Sequence, residues 1–155
     1  MNTENLIWEK LNNDPLESNL LESWLIDDAS LTKKLKQKFA DFSVKVLSEI
    51  QGKAHNNEQD LLGTQADCII REVELWGNQH AVVFARSIIP ITDDTQNLLG
   101  IGSKPLGEIL FNDASIARGE LQITRMGDVW GRRSTFAIGD TRVLVSEFFL
   151  EALYA

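Results

Sequence analysis

Several residue types are scarce in this chain, and each scarcity argues against a class of chemistry. Cys68 is the only cysteine, so the chain can form neither an internal disulfide nor a cysteine-based zinc site. His55 and His80 are the only histidines, and they lack the spacing of a His-Glu-x-x-His metal site. No Gly-x-Ser-x-Gly motif is present, which argues against a serine-hydrolase elbow. We expect Cys68 to be a small buried apolar side chain and no metal to take part.

Long apolar runs and an excess of positive charge are also missing. No run approaches the roughly 20 apolar residues that a membrane helix needs. The net charge of −8 opposes binding to nucleic acid or to an anionic membrane surface. The polar start Met1–Asn5 lacks the basic region of a signal peptide. We expect one globular domain over residues 1–155, a monomer in the cytoplasm or a similarly reducing compartment.

Arginine is absent from the first 70 residues of the chain. All seven arginines lie from Arg71 onward, whereas seven of the eight lysines lie at or before Lys53. The planar guanidinium suits carboxylate or phosphate recognition, so this distribution hints at an anion site in the second half. Arg71 lies in Asp67–Leu75, a predicted strand whose alternation groups it with apolar residues. Such an arginine needs a carboxylate, and the pattern alone favours an internal ion pair over a ligand.

The remaining patterns predict an α+β fold: N-terminal helices, then a mostly antiparallel single sheet with one inserted short helix. Helices are expected up to about Pro15, over Leu16–Ile26, from Leu31 to Phe39 and over Pro105–Phe111. Strands are expected over Phe42–Ile50, Asp67–Leu75, His80–Pro90, Ala117–Met126, Thr135–Ile138 and Arg142–Leu150. The polar segment Lys53–Gln65 is predicted to be a loop or flap. Trp130–Arg133 is interpreted as a turn that carries a surface basic pair, in preference to a contact with a substrate.

Two further charged residues fall among apolar neighbours on predicted strands. Arg86 alternates in phase with Val82, Phe84 and Ile88, and Glu147 lies in the last strand among valine and phenylalanine. Arg71 and Glu147 could simply be structural ions that pair with each other. Around a pocket, they could instead hold a small molecule with a carboxylate at one pole and an oxygen at the other. The residue pattern does not choose between these alternatives.

Six local strings occur in the order and approximate spacing of the bacterial chorismate pyruvate-lyases, which the chain resembles from about Trp24 to Tyr154. They are Trp24–Lys33, Ile70–Val73, Ala85–Pro90, Lys104–Phe111, Trp130–Ser134 and Ser146–Leu150. The residues before Pro15 and the segment Lys53–Gln65 match poorly. The specificity of the resemblance comes from the six strings in order, since none of them is decisive alone.

The resemblance implies cleavage of chorismate to 4-hydroxybenzoate and pyruvate, the first committed step toward ubiquinone, without metal or cofactor. It also implies helical flaps over a buried ligand pocket. The matching positions assign Arg71 to the product carboxylate, Arg86 as the second site arginine and Glu147 to the product hydroxyl. The backbone at Leu106 would add a polar contact. Leu31 matches a flap methionine and would line the pocket.

This resemblance leads to a mechanistic hypothesis with an open choice. Arg71 binds the ring carboxylate, and Arg86 neutralises the enolpyruvyl carboxylate. Glu147 either assists proton movement at the departing oxygen or only orients the substrate in a concerted reaction. The partners are then chorismate and 4-hydroxybenzoate, with no nucleic acid and no integral membrane segment.

The alternative function is binding without turnover. The same general fold serves as the sensing half of certain transcription repressors, and a carrier of an aromatic acid is a further option. Such sensors normally follow a DNA-binding winged helix, for which a 155-residue acidic chain leaves no room.

Overall fold

The computed structural model describes residues 1–10, 23–25 and 30–154, and its centre is an eight-stranded antiparallel sheet. The strands are β1 (Glu9–Lys10), β2 (Phe42–Gly52), β3 (Cys68–Gly77), β4 (His80–Pro90), β5 (Ala117–Arg118), β6 (Gln122–Met126), β7 (Val129–Ile138) and β8 (Thr141–Phe149). The helices are α1 (Leu31–Lys38), α2 (Asn56–Leu62) and α3 (Leu106–Asn112), with 3-10 helices at Asp93–Leu98 and Glu151–Leu153. The spatial order is β1-β6-β7-β8-β4-β3-β2, with β5 paired to β7. The predicted α+β class is confirmed.

Strands β3 and β4 form a hairpin within the sheet, as the sequence predicts. Its two-residue turn places Asn78 and Gln79 at φ of 51° and 72°, the left-handed conformation that matches the twist of adjoining strands. Gly77, the last residue of β3, packs against the ring of Phe39, and a Cβ on Gly77 would overlap that ring. The missing side chain therefore lets the end of α1 approach the sheet.

Helix α1 begins where its sequence predicts. The Ser30 hydroxyl accepts a hydrogen bond from the Lys33 backbone N–H (3.3 Å), a typical N-cap contact. Leu31, Leu35 and Phe39 are buried in one core cluster with Trp24 and Leu25. Spacing of three to four residues brings these apolar side chains onto the face that packs against the sheet.

The N-terminal helix predictions fare differently. Residues 23–25 are helical, and the rest of the predicted Leu16–Ile26 helix lies outside the described residues. The helix predicted up to Pro15 is wrong for residues 1–10, and residues 11–15 lie outside the described part. In its place β1 pairs with Gln122 and Ile123 of β6, so this short segment extends the edge of the sheet.

The segment Lys53–Gln65, predicted to be a loop or flap, contains helix α2 instead. The Glu58 carboxylate accepts a hydrogen bond from the His55 backbone N–H (2.8 Å) at the start of the helix, and Gly63 ends it at φ 71°. Few apolar residues mark a helical face here. The helix is held by tertiary contacts, which sequence periodicity cannot show.

Strand β7 also departs from the prediction. It runs continuously over Val129–Ile138, so Trp130–Ser134 is the first half of a strand and not a turn. The interpretation of Arg132 and Arg133 as a surface basic pair is wrong, because both side chains are buried. The predicted strand Ala117–Met126 divides into β5 and β6 around Gly119.

The helices cover both faces of the sheet. Helices α1 and α3 lie over the face that carries Arg71 and Glu147, and α2 lies over the face that carries Arg86. Cys68 is buried beside α2, as predicted, and burial raises the pKa of its thiol. In the described ranges, no helix has the length and apolar character needed to span a membrane.

Candidate active site

A small, partly enclosed cavity lies between the sheet and helices α1 and α3. Its walls are formed by Thr32, Val44, Arg71, Val73, Leu75, Ala85, Ser87, Pro105, Leu106, Gly107, Val145 and Glu147. The apolar members come mainly from strands β2, β3, β4 and β8, and the two ionisable members are Arg71 and Glu147. The volume is about 30 Å³, room for only a water molecule or two.

Arg71 enters this cavity from the middle of β3 and is 2% exposed. Its Nη1 donates to Oε2 of Glu49 (3.2 Å), and its Nη2 donates to the backbone carbonyl of Lys104 (3.0 Å). An arginine has five N–H donors, so these two bonds leave others for a further acceptor. The described contacts thus fix the guanidinium in place without using all its donors.

A β-bulge in β2 brings Glu49 to Arg71. The pairing of β2 with β3 shifts between Val46 and Ser48, so Glu49 lies opposite Arg71. If the pairing continued regularly through Leu47, Ser48 would lie opposite Arg71 instead. Sequence analysis missed Glu49, because period-two alternation through β2 assigns it to the other face. The only available signal was an apolar alternation that breaks at Leu47.

Glu147 reaches the same cavity from β8. Its register partners are Ala85 on β4 and Arg132 on β7. The Oε1 atom accepts a hydrogen bond from Nε of Arg132 at 3.0 Å, and the side chain is 16% exposed. The structure thus brings together Arg71 and Glu147, two predicted site residues that are 76 positions apart in the chain. The Arg71–Glu147 pair considered as a structural ion pair does not form, since each carries a different partner.

Arg86 does not join them. It lies next to Ser87 on β4 and points to the opposite face of the sheet, under α2. Its Nε and Nη2 donate to the two carboxylate oxygens of Glu58 (2.8 and 2.9 Å), and its Nη1 donates to Glu72 (3.3 Å). Contact between Arg86 and a ligand in the cavity is therefore a prediction that the structure contradicts. Alternation along β4 separates Arg86 from the Arg71 face.

The charges around Arg86 satisfy one another. Burial by itself raises the pKa of Glu58, but hydrogen bonds and positive charge from Arg86, with a backbone bond from His55, lower it below its usual value. Burial lowers the pKa of nearby Arg133 to about 10, so it stays charged near neutral pH. Arg133 donates to Gln122 and Asn57. This side of the sheet reads as a paired internal network.

Leu31 and Leu106, the two residues predicted at the flaps, lie in different places. Leu106, the first residue of α3, lines the cavity as expected. Leu31 is packed in the main core cluster, and the wall of the cavity is contributed by its neighbour Thr32. Leu31 therefore does not line the cavity in this structure, and its contact with a bound ligand stays a prediction. Helical geometry turns adjacent residues about 100° apart, so a shift of one residue exchanges cavity for core.

The family model described as chorismate lyase matches residues 2–155. This chain belongs to the chorismate lyase family. A probable chorismate pyruvate-lyase of Pseudoalteromonas translucida is 35% identical over 157 residues, covering 88% of this chain and 87% of the relative. One from Pseudomonas putida is 38% identical over 148 residues, covering 84% and 81%.

Two solved structures share the fold of this chorismate lyase family member. The C-terminal domain of a histidine utilization repressor from Pseudomonas syringae has a TM-score of 0.60 at 10% identity, covering 74% of this chain and 95% of that one. A possible transcriptional regulator from Bacillus subtilis has a TM-score of 0.56 at 12% identity, covering 93% and 88%. At such low identity the likeness concerns the sheet and its helices alone.

Proposed function

We propose that this protein is a chorismate pyruvate-lyase, which converts chorismate to 4-hydroxybenzoate and pyruvate. The observation that carries the proposal is that Arg71 and Glu147 line one mostly apolar cavity beneath two helices. Family membership supplies the substrate class. The proposal includes a cytoplasmic location, independence of metals and cofactors, and a place at the start of ubiquinone synthesis.

The cavity walls suit a flat ring with a polar group at each end. Val73, Leu75, Ala85 and Val145 provide apolar contacts for the ring. In the proposal, Arg71 uses its remaining N–H donors to bind the ring carboxylate, as charge-assisted hydrogen bonds favour. Glu147 contacts the hydroxyl at the other end, and the backbone of Leu106 adds a polar contact. Each of these contacts is part of the proposal.

The reaction requires the protein mainly to position the substrate and to exclude water from it. Loss of the enolpyruvyl ether makes the ring aromatic, so the reaction runs downhill. The protein then needs to hold a dianionic substrate in a reactive conformation and keep water away. Buried walls and two anchored charged groups fulfil both needs.

The enolpyruvyl carboxylate of chorismate, which the sequence analysis assigned to Arg86, needs another cation. Arg86 is excluded from direct contact by its position on the other face. Three lysines, Lys33, Lys36 and Lys104, line the grooves beside the cavity at helices α1 and α3. They supply positive charge at this position on a chain of net charge −8, and we propose that they attract the enolpyruvyl carboxylate.

Ligand binding requires the two covering helices to move. A cavity of about 30 Å³ is much smaller than an aromatic acid. Helices α1 and α3 contribute Thr32, Leu106 and Gly107 to its wall, and Lys36 of α1 forms an ion pair with Glu108 of α3 (3.1 Å). Outward movement of these helices would open the cavity, and their return would exclude water.

The deciding experiment is incubation of the purified protein with chorismate in EDTA without added cofactor. We expect equal amounts of 4-hydroxybenzoate and pyruvate, measured by chromatography and by a coupled pyruvate assay. Binding of 4-hydroxybenzoate without turnover at high protein concentration would reject the lyase and support a sensor or carrier. Restored ubiquinone content in a bacterium that lacks its own chorismate lyase would test the metabolic role.

A further inference from the structure

Arg132 contacts the Glu147 carboxylate from the neighbouring strand β7. The two residues are register partners, and Nε of Arg132 donates to Oε1 of Glu147 at 3.0 Å. Arg132 is 1% exposed, among the largest fully buried side chains of the described residues. Removing a guanidinium from water costs several kcal/mol unless partners compensate. The contacts of Arg132 therefore show which groups offset the cost of burying its charge.

The other contacts of Arg132 lead away from the sheet. Its Nη1 donates to the backbone carbonyls of Trp24 (2.9 Å) and Leu25 (3.3 Å) in the helical residues 23–25. The guanidinium carbon lies 5.6 Å from the centre of the Phe149 ring. Arg132 therefore joins a cavity carboxylate to a segment that packs against α1.

These contacts determine which hydrogen bonds the Glu147 carboxylate can form with a ligand. The hydrogen bond from the buried Arg132 guanidinium holds Oε1 in one position. Among the described residues only Oε1 is engaged, which leaves Oε2 for a ligand in the cavity. A carboxylate oxygen can accept a hydrogen bond from a ligand hydroxyl.

We propose that Arg132 is a positioning residue that orients the Glu147 carboxylate, so that Glu147 acts on the ligand as a hydrogen-bond acceptor. This inference rests on the proposed lyase function and deepens it. It favours orientation of the substrate hydroxyl by Glu147 over proton donation to the departing oxygen. Arg132 itself touches no substrate in this proposal.

The test compares Arg132→Met with Arg133→Met, a matched control. Both arginines are buried on β7, but Arg133 faces the other side of the sheet, where it contacts Gln122 and Asn57. We expect Arg132→Met to lower kcat about 100-fold, with a smaller change in KM. Arg133→Met should lower thermal stability without that selective loss of kcat.

Two further variants keep the test decisive if Arg132→Met does not fold. Arg132→Lys retains a hydrogen-bond donor for Glu147 but cannot also reach both carbonyls, so we expect partial recovery of kcat. In a Glu147→Gln background, replacing Arg132 by Lys should cost little additional kcat, because its effect acts through Glu147.

The outcomes separate the two proposals. Turnover of chorismate by the wild-type protein, together with an unchanged kcat in folded Arg132 variants, would overturn the positioning role while leaving the lyase intact. Additive losses in the Glu147→Gln background would overturn it as well. Absence of product from the wild-type protein would reject the lyase, and the positioning role would fall with it.

Discussion

The two faces of the sheet treat buried arginines in opposite ways. On the α2 face, Arg86 is bound by both oxygens of Glu58 and by Glu72, so three of its nitrogens are engaged by carboxylates. On the α1–α3 face, Arg71 has one carboxylate partner, Glu49, and one backbone carbonyl, and it borders a cavity. Burial of an arginine therefore does not identify a site. An arginine whose unused N–H donors border a cavity, such as Arg71, is the better candidate for binding a ligand.

The helices that cover the two faces also differ in how firmly they are held. Helix α2 is fixed to the sheet by the Glu58–Arg86 pair, whose side chains are 4% and 6% exposed. Helices α1 and α3 are joined by Lys36 and Glu108, whose side chains are 46% and 43% exposed. Exposed pairs contribute little stability, whereas breaking a buried pair is costly. The stable cover lies over the paired network, and the weakly joined cover lies over the cavity.

The largest expected effect is on the cavity face, in Arg71→Ala. Loss of the proposed carboxylate anchor should reduce kcat/KM for chorismate by about 100- to 1,000-fold and weaken binding of 4-hydroxybenzoate. Steady-state kinetics and calorimetric binding measure the two effects. Arg142→Ala is the control, since Arg142 is an exposed arginine on β8. Wild-type kinetics in Arg71→Ala would remove this residue from the site.

Replacement of Arg86 should affect stability more than catalysis. Arg86→Met leaves the buried Glu58 carboxylate without its main partner, so the free energy of unfolding should fall by about 3–5 kcal/mol. The kcat per folded molecule should stay within a few-fold of wild type, as urea unfolding and kinetics below the unfolding transition will measure. A folded, stable Arg86→Met protein with abolished turnover would contradict the separation of the two faces.

Acid should weaken the α2 face selectively. The pKa of Glu58 in the folded protein lies below its ordinary value of 4.5, so its stabilising contribution is complete above that pH and disappears as the pH falls through the folded value. Glu58→Gln lacks this contribution at every pH. The difference in unfolding free energy between wild type and Glu58→Gln should therefore narrow between pH 7 and pH 3. A gap of constant size over this range would show that Glu58 does not titrate as stated.

The smallest effect is expected at the cover of the cavity. Lys36→Ala should speed product release about two- to five-fold, in line with the small free energy of an exposed ion pair. Stopped-flow fluorescence of 4-hydroxybenzoate dissociation measures this, and added salt should reduce the difference. Lys53→Ala, which breaks the exposed Lys53–Asp67 pair away from α1 and α3, is the matched control. Equal release rates in all three proteins would show that this pair does not restrain the helices.

Strand periodicity predicted much of the fold and part of the site. Alternation in β3 and β8 identified Arg71 and Glu147 as charged residues on apolar faces, and the turn at Asn78 identified the central hairpin. The helix α2 was missed because its fixing contact, Glu58 with Arg86, joins residues 28 positions apart. The bulge at Leu47 was missed because one inserted residue changes every later side-chain assignment in β2 without altering composition.

The sequence by itself determined which residues carry unusual charge on apolar strand faces, the α+β class, and the resemblance to the chorismate lyases. Tertiary structure decided which of those charges share a face. Arg86 was separated from Arg71 and Glu147, and Glu49 and Arg132 were brought to them as partners. The physical reason is that alternation gives the relative sides of residues within one strand, whereas their partners depend on register between strands. That register is fixed by turns, bulges and the packing of helices on each face.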